Sequence, residues 1–169
     1  MHMASSYTFT LYLALRGDLS RIERDTLDYL FNDREAPPAE WPEHACFHAG
    51  SAPHRLGREN AFPPGAYVSA SWQASAHPGM FSGLHFTCPN LKLEWFMEYH
   101  FSLLQWLATL SAAHGHVGAL TNQDDGKGLP WLFFVYNRQL YIHIAEPGML
   151  LNAADSGEEY EWPDSEGQV

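Results

Sequence analysis

Apolar residues alternate with polar or small ones from Tyr7 to Leu15, where Tyr7, Phe9, Leu11, Leu13 and Leu15 fall on one side of an extended chain. A period of two in a β-prone run predicts a strand with one buried face. Arg16-Gly17-Asp18-Leu19-Ser20 interrupts the pattern, and Ile22, Thr26, Leu27, Tyr29, Leu30 and Phe31 then recur at helical spacing as far as Asn32-Asp33. This is a first helix with Asp18 or Ser20 as its cap. Six prolines (Pro37, Pro38, Pro42, Pro53, Pro63 and Pro64) disfavour regular structure over residues 36–65, which read as a long ordered loop. Loops of that length in a small domain usually carry function, so a site is expected there first.

Gly65 to Trp72 reads as a strand, Ala76-His77-Pro78-Gly79 as a turn and Gly83 to Cys88 as its hairpin partner, with Pro89-Asn90 ending the pairing. From Leu91 to about His114, Leu93, Phe96, Met97, His100, Leu103, Leu104, Leu107 and Leu110 keep a 3.6-residue period and predict one long helix. Gly115 and Gly118 close it. Val117–Thr121 and Trp131–Tyr136 follow as strands around the polar loop 122–128, and Asn137-Arg138 turns the chain into a last strand, Gln139–Ala145. The order strand, Gly17-Asp18-Leu19, helix is echoed by strand, Pro89-Asn90-Leu91, helix. Two such units side by side predict an α+β fold: an antiparallel-rich sheet with two helices on one face, a split βαβ arrangement of the ferredoxin-like kind.

Nine Lys and Arg face twenty Asp and Glu, and a formal charge of −11 repels phosphate backbones and anionic membranes alike. Nucleic acid and membrane are therefore set aside as partners. Six of the carboxylates lie in residues 152–169, where no Lys or Arg occurs. The chain is read as one domain, 1–151, followed by an acidic, solvated tail, 152–169. Tyr160 and Trp162 stand inside that acidic run and could anchor it on a partner. No apolar run approaches the roughly 20 residues of a spanning helix, and the first residues lack the basic and apolar regions of a signal peptide. With only Cys46 and Cys88 as thiols, a disulfide framework is excluded, and a cytoplasmic location is expected.

The aromatic content, six Trp among them, exceeds what a small core needs, so some rings should be exposed: Trp41 in the proline-rich loop, Trp72 at a strand end and Trp162 in the tail. His44-Ala45-Cys46-Phe47-His48 would place three zinc-compatible donors on one side of an extended chain, although a structural site needs four. His85-Phe86-Thr87 and His143-Ile144-Ala145 are similar to the paired HxT or HxS motifs of two-histidine phosphoesterases, except that Ala145 lacks the hydroxyl. No nucleophile elbow, phosphate-binding loop or dinucleotide fingerprint occurs.

The run Leu11–Leu19 (LYLALRGDL), Asp25–Leu30 (DTLDYL), Pro64–Val68 (PGAYV), Asn90-Leu91-Lys92 and Leu104–Leu107 (LQWL) resembles a group of small uncharacterised bacterial α+β proteins over residues 9–142. The resemblance implies the fold and brings no activity with it. In general character the chain is also similar to bacterial immunity proteins that neutralise toxins. The expectation is thus a non-enzymatic protein that binds, and inhibits, a basic protein partner through Trp41, Trp72, Tyr160 and Trp162, with no cofactor. The alternative is a hydrolase or small-ligand or zinc-binding protein using His85, His143 or the His44, Cys46, His48 group beneath the 36–65 loop. A homodimer burying the surplus aromatics is the third possibility.

Overall fold

The computed structural model describes residues 6–32, 35–48, 69–74, 82–123, 130–144, 149–152 and 159–161. Strand β1 (Tyr7–Leu15) has the expected alternation, with Phe9, Leu11, Leu13 and Leu15 buried. Helix α1 (Arg21–Phe31) begins at Ser20, whose side chain accepts from the Glu23 amide while Glu23 reaches back to the Ser20 amide. That reciprocal cap settles the choice between Asp18 and Ser20. A one-turn helix α2 (Ala45–His48) follows, then β2 (Ser69–Gln73) and β3 (Ser82–Leu91).

The next helix departs from the expected single run from Leu91 to about His114. It runs through α3 (Leu93–Trp95), a π-helical turn (Phe96–His100) and α4 (Phe101–Leu110), so Leu91 belongs to a strand and residues 111–114 to the return path. Nor does Pro89-Asn90 end the strand pairing. Phe9 faces Cys88 but Tyr7 faces Leu91, so β3 carries one extra residue there, and Asn90 takes it up at φ 57°. Asn tolerates the left-handed region better than most side chains, which is why a bulge forms instead of a break.

The chain then runs through β4 (Gly115–Asn122), β5 (Trp131–Tyr136), β6 (Gln139–Ile144), β7 (Met149–Asn152) and β8 (Glu159–Glu161). The fold is α+β, with six strands in one antiparallel sheet, ordered β2-β3-β1-β4-β5-β6, and the short β7 and β8 extending it beyond β6. The separation of a 1–151 domain from a 152–169 tail falls inside β7, and Glu159–Glu161 of that tail pair with β7. Asn137 and Arg138 make the two-residue turn between β5 and β6, both at positive φ. The expected loop core at 49–65, the turn 76–79, most of loop 122–128 and residues 162–169 lie outside the described residues.

Helices α1 and α4 cover the same face of the sheet. Leu27, Leu30, Phe31, Leu103, Leu104 and Leu107 join Phe9, Leu11, Phe86 and Phe133 in one core. At its centre Phe9 meets Phe86 at 5.3 Å, Phe96 at 5.2 Å and Phe133 at 5.6 Å between ring centroids. β4 and β1 approach so closely at Gly118 that a Cβ there would lie 2.2 Å from the Thr10 carbonyl oxygen. Glycine is required at that crossing. The seven strands β1–β7 contain no Asp, Glu, Lys or Arg; the charged residues of the sheet are Glu159 and Glu161 in β8.

Candidate functional site

Strand alternation sends every second side chain to the face opposite the helices. Thr10 and Tyr12 of β1 lie there beside Thr87 and His85 of β3, and across β4 stand Leu132 and Phe134 of β5 and His143 and Tyr141 of β6. Among the described residues no helix packs on this side. Tyr12 is 64% exposed and stacks on His85, 4.6 Å between centroids. His85 Nε2 also meets Thr87 Oγ1 at 3.1 Å. His116 lies edge-on to Phe134 at 5.4 Å, and Tyr136 lies against Tyr141 at 6.0 Å. The result is a floor of hydroxyl, imidazole and aromatic groups without Asp, Glu, Lys or Arg.

His85 and His143 share this floor but stand on β3 and β6, four strand spacings apart. At about 4.8 Å per spacing that is roughly 19 Å, too far for both imidazoles to act on one phosphorus or carbonyl. The histidine-pair reading has the right face and the wrong separation.

The zinc reading fares differently. His44 and Cys46 do meet, Nδ1 to Sγ at 3.1 Å, because residues 45–48 form a helical turn instead of the expected extended run. Burial pushes the Cys46 thiol up to about 12, as it does for Cys88. The side chain of His48 lies outside the described residues, and among those described no third His, Cys, Asp or Glu completes a metal-binding group.

Of the expected aromatic anchors, Trp72 requires correction. It is 6% exposed, because β2 turns it toward the helices, where its Nε1 donates to Asp28 Oδ1 at 2.9 Å. Asn32, at the end of α1, accepts from the Trp72 amide at 3.3 Å and donates to its carbonyl at 3.2 Å. Trp72 is therefore the hinge pin between α1 and β2 and presents no surface. Trp41 is half-buried: it stacks on Phe47 at 5.2 Å and meets the edge of Tyr29 at 5.7 Å, and Phe47 in turn packs on Trp106. This cluster lies on the helix side. Tyr160 is in β8, its side chain outside the described residues, as is Trp162.

Among the described residues the helix side also holds most of the charge. Residues 16–48 carry eight carboxylates and four arginines. Arg16 is held between Asp18 and Glu23, and its guanidinium, hydrogen-bonded to Asp18, keeps that carboxyl below the usual range. Arg21 reaches Asp25 at 3.4 Å and Glu40 at 3.7 Å. Glu40 and Glu43 flank Trp41 and are exposed. One feature escaped the sequence reading, a cleft of about 470 Å³ lined by Arg16, Ser111, His114, Asn137 and Arg138, whose positive charge Asp18 and Glu23 offset. His100, which the helical period put among the apolar positions, is buried in the π turn among Phe9, Phe86 and Phe96, where desolvation pulls its pKa down to about 4.

No helix among the described residues is long and apolar enough to cross a membrane. Neither a family model, nor a curated protein, nor a solved structure matches the chain.

Proposed function

We propose that this chain is a non-enzymatic binding protein whose acidic helix side receives a basic protein, in the manner of an immunity protein that inhibits a bacterial toxin. The observation that carries the reading is the distribution of charge: strands β1–β7 contain no Asp, Glu, Lys or Arg, while eight of the twenty carboxylates lie in residues 16–48, around α1 and the segment that follows it. A basic partner would be drawn to that side by the summed field, and Trp41, half-buried between Glu40 and Glu43, would serve as its aromatic anchor. Tyr160 and Trp162 within the acidic residues 152–169 would add to the contact. The proline-rich residues 36–65 would shape it.

In this reading β1-α1-β2 and β3-α4-β4 are two split βαβ units of the ferredoxin-like kind, a proposal supported by the order β2-β3-β1-β4. The free thiols Cys46 and Cys88 support a cytoplasmic home. The experiment is capture of partners from the native host's lysate at low and high salt, using the wild type, Trp41→Ala and the double variant Glu40→Lys/Glu43→Lys. A stoichiometric basic protein is expected, released by salt, held about 30-fold less tightly by Trp41→Ala, and lost with the charge reversal. Circular dichroism verifies that both variants fold. Equal capture by all three proteins, or no basic partner at low salt, refutes the reading.

A further inference from the structure

The end of β1, the return path from α4 to β4 and the β5–β6 turn meet around the cleft of about 470 Å³. Arg16, Ser111, His114, Asn137 and Arg138 line it, together with Ala112 and Ala113. We propose that this cleft binds a small organic carboxylate of the 2-hydroxy or 2-oxo acid class, with Arg138 gripping the carboxylate.

The walls are fixed by backbone bonds. The Arg16 amide donates to the Leu110 carbonyl at 2.9 Å, and the Ala112 amide to the Ala14 carbonyl at 2.8 Å. Ser111 Oγ accepts from the Ala113 amide at 2.9 Å, so this hydroxyl shapes the return path. A preformed cleft of this volume suits a metabolite-sized ligand.

The lining selects the ligand. It carries two guanidinium groups, a side-chain amide and an imidazole and, among the described residues, no carboxylate. Arg16 Nη1 donates to Asp18 and Nη2 to Glu23, yet Nε is buried without an acceptor. An orphaned buried donor is rare in native proteins, and this one belongs to a side chain of the cleft wall. Arg138 is exposed, and among the described residues no carboxylate lies within ion-pair reach of it. Its charge is nonetheless close: Asp18 is held below the usual carboxylate range by Arg16 first and, more weakly, by Arg138 through space. The side chains of Asn137 and His114 likewise make no hydrogen bond among the described residues.

A guanidinium offers a carboxylate two parallel N–H bonds, and Asn137 and His114 are left to meet the oxygen on the adjoining carbon. Asp18 and Glu23 balance Arg16, which leaves the single charge of Arg138. One guanidinium matches one carboxylate and falls short of the nearly double charge of a phosphate monoester. The backbone adds an independent reason. Arg138 stands at φ 64°, in the second position of a tight turn that glycine fills most readily. An arginine there forgoes turn stability, and its side chain at the cleft is what accounts for it.

Amide chemical shifts of the nitrogen-15-labelled chain, titrated with sodium lactate, test this. Saturable shifts are expected at residues 114, 137 and 138, with a dissociation constant of about 1 mM. Methyl lactate, which has the hydroxyl but no charge, should leave them unmoved. Arg138→Gly should weaken lactate at least tenfold while raising the melting temperature by about 2 °C, because glycine suits the turn. Absence of saturable shifts up to about 50 mM lactate overturns the proposal. So do equal shifts from the ester, tighter binding of inorganic phosphate than of lactate, or undiminished affinity in Arg138→Gly. The basic partner is tested at Trp41, Glu40 and Glu43, so either idea can fail without the other.

Discussion

Lowering the pH from 7 to 5 should destabilise this protein through one side chain, His100, and the effect can be worked out from its surroundings. The imidazole is 1% exposed and sits among Phe9, Phe86 and Phe96, with Leu11, Leu103, Leu104 and Leu107 lining a cavity of about 10 Å³ beside it, room for about one water. Desolvation lowers its pKa from the ordinary 6.5 to about 4. The folded state thus holds the ring neutral where the unfolded chain protonates it. Between pH 6.5 and 4 the unfolded state binds more protons, so the stability present above pH 6.5 is lost progressively on acidification. With those two values the loss is about 2 kcal/mol at pH 5 and approaches about 3 kcal/mol below pH 4. Urea unfolding at pH 7 and at pH 5 measures it in the wild type and in His100→Leu. The variant removes the titrating ring but leaves every other histidine and carboxylate in place, so the difference between the two pH responses belongs to position 100. Its absolute stability is immaterial to the comparison. If both proteins lose the same amount between pH 7 and pH 5, the burial of a neutral imidazole is not what the π turn does, and the reasoning fails.

Two further predictions concern the packing that holds α1 and β1 in place. Trp72→Phe keeps the apolar contact but leaves Asp28 without its indole donor, and should cost about 1.5–3 kcal/mol in chemical denaturation; a loss below about 0.5 kcal/mol would mean the indole bond does not fasten α1 to β2. Gly118→Ala puts a methyl against the Thr10 carbonyl and should destabilise by several kcal/mol or prevent soluble expression, whereas Gly83→Ala, where nothing lies within 4 Å, should be far milder by thermal melting. Equal effects at the two glycines would contradict the close approach of β4 to β1.

Much of the fold was legible because hydrophobic period is a local signal. β1, α1 and the β5–β6 hairpin follow directly from alternation, a cap and a turn. The long helix was misread at both ends for an equally physical reason: Leu91 and Leu93 are apolar in a strand as well as in a helix, and the backbone bulge at Asn90 that keeps Leu91 paired leaves no mark in a hydropathy pattern. A π turn inserts one residue into a 3.6 period, which five consecutive positions cannot reveal. The candidate site was less legible because it depends on separations across the sheet. His85 and His143 look equivalent as motifs, and only the strand order shows four spacings between them. Trp72 looked exposed because it stands near a strand end, but its burial is decided by Asp28 and Asn32, 44 and 40 residues earlier. One available signal was passed over: the absence of ionic residues from every predicted strand, visible on a count, already marked two chemically different sides.

The two glutamates of β8 bear on how the sheet ends. An outermost strand offers unpaired amides and carbonyls to any extended chain, and the charge-free β-prone segments of this protein are themselves such chains whenever a molecule is unfolded. Glu159 and Glu161 put like charges on the outermost strand, so a second sheet arriving edge to edge brings four carboxylates together. They act as gatekeepers for strands that carry none of their own. On the side where β8 is outermost among the described residues, growth of the sheet is thereby opposed by electrostatics, and neutralising those two carboxylates opens a route to fibrous aggregation while leaving the folded core untouched.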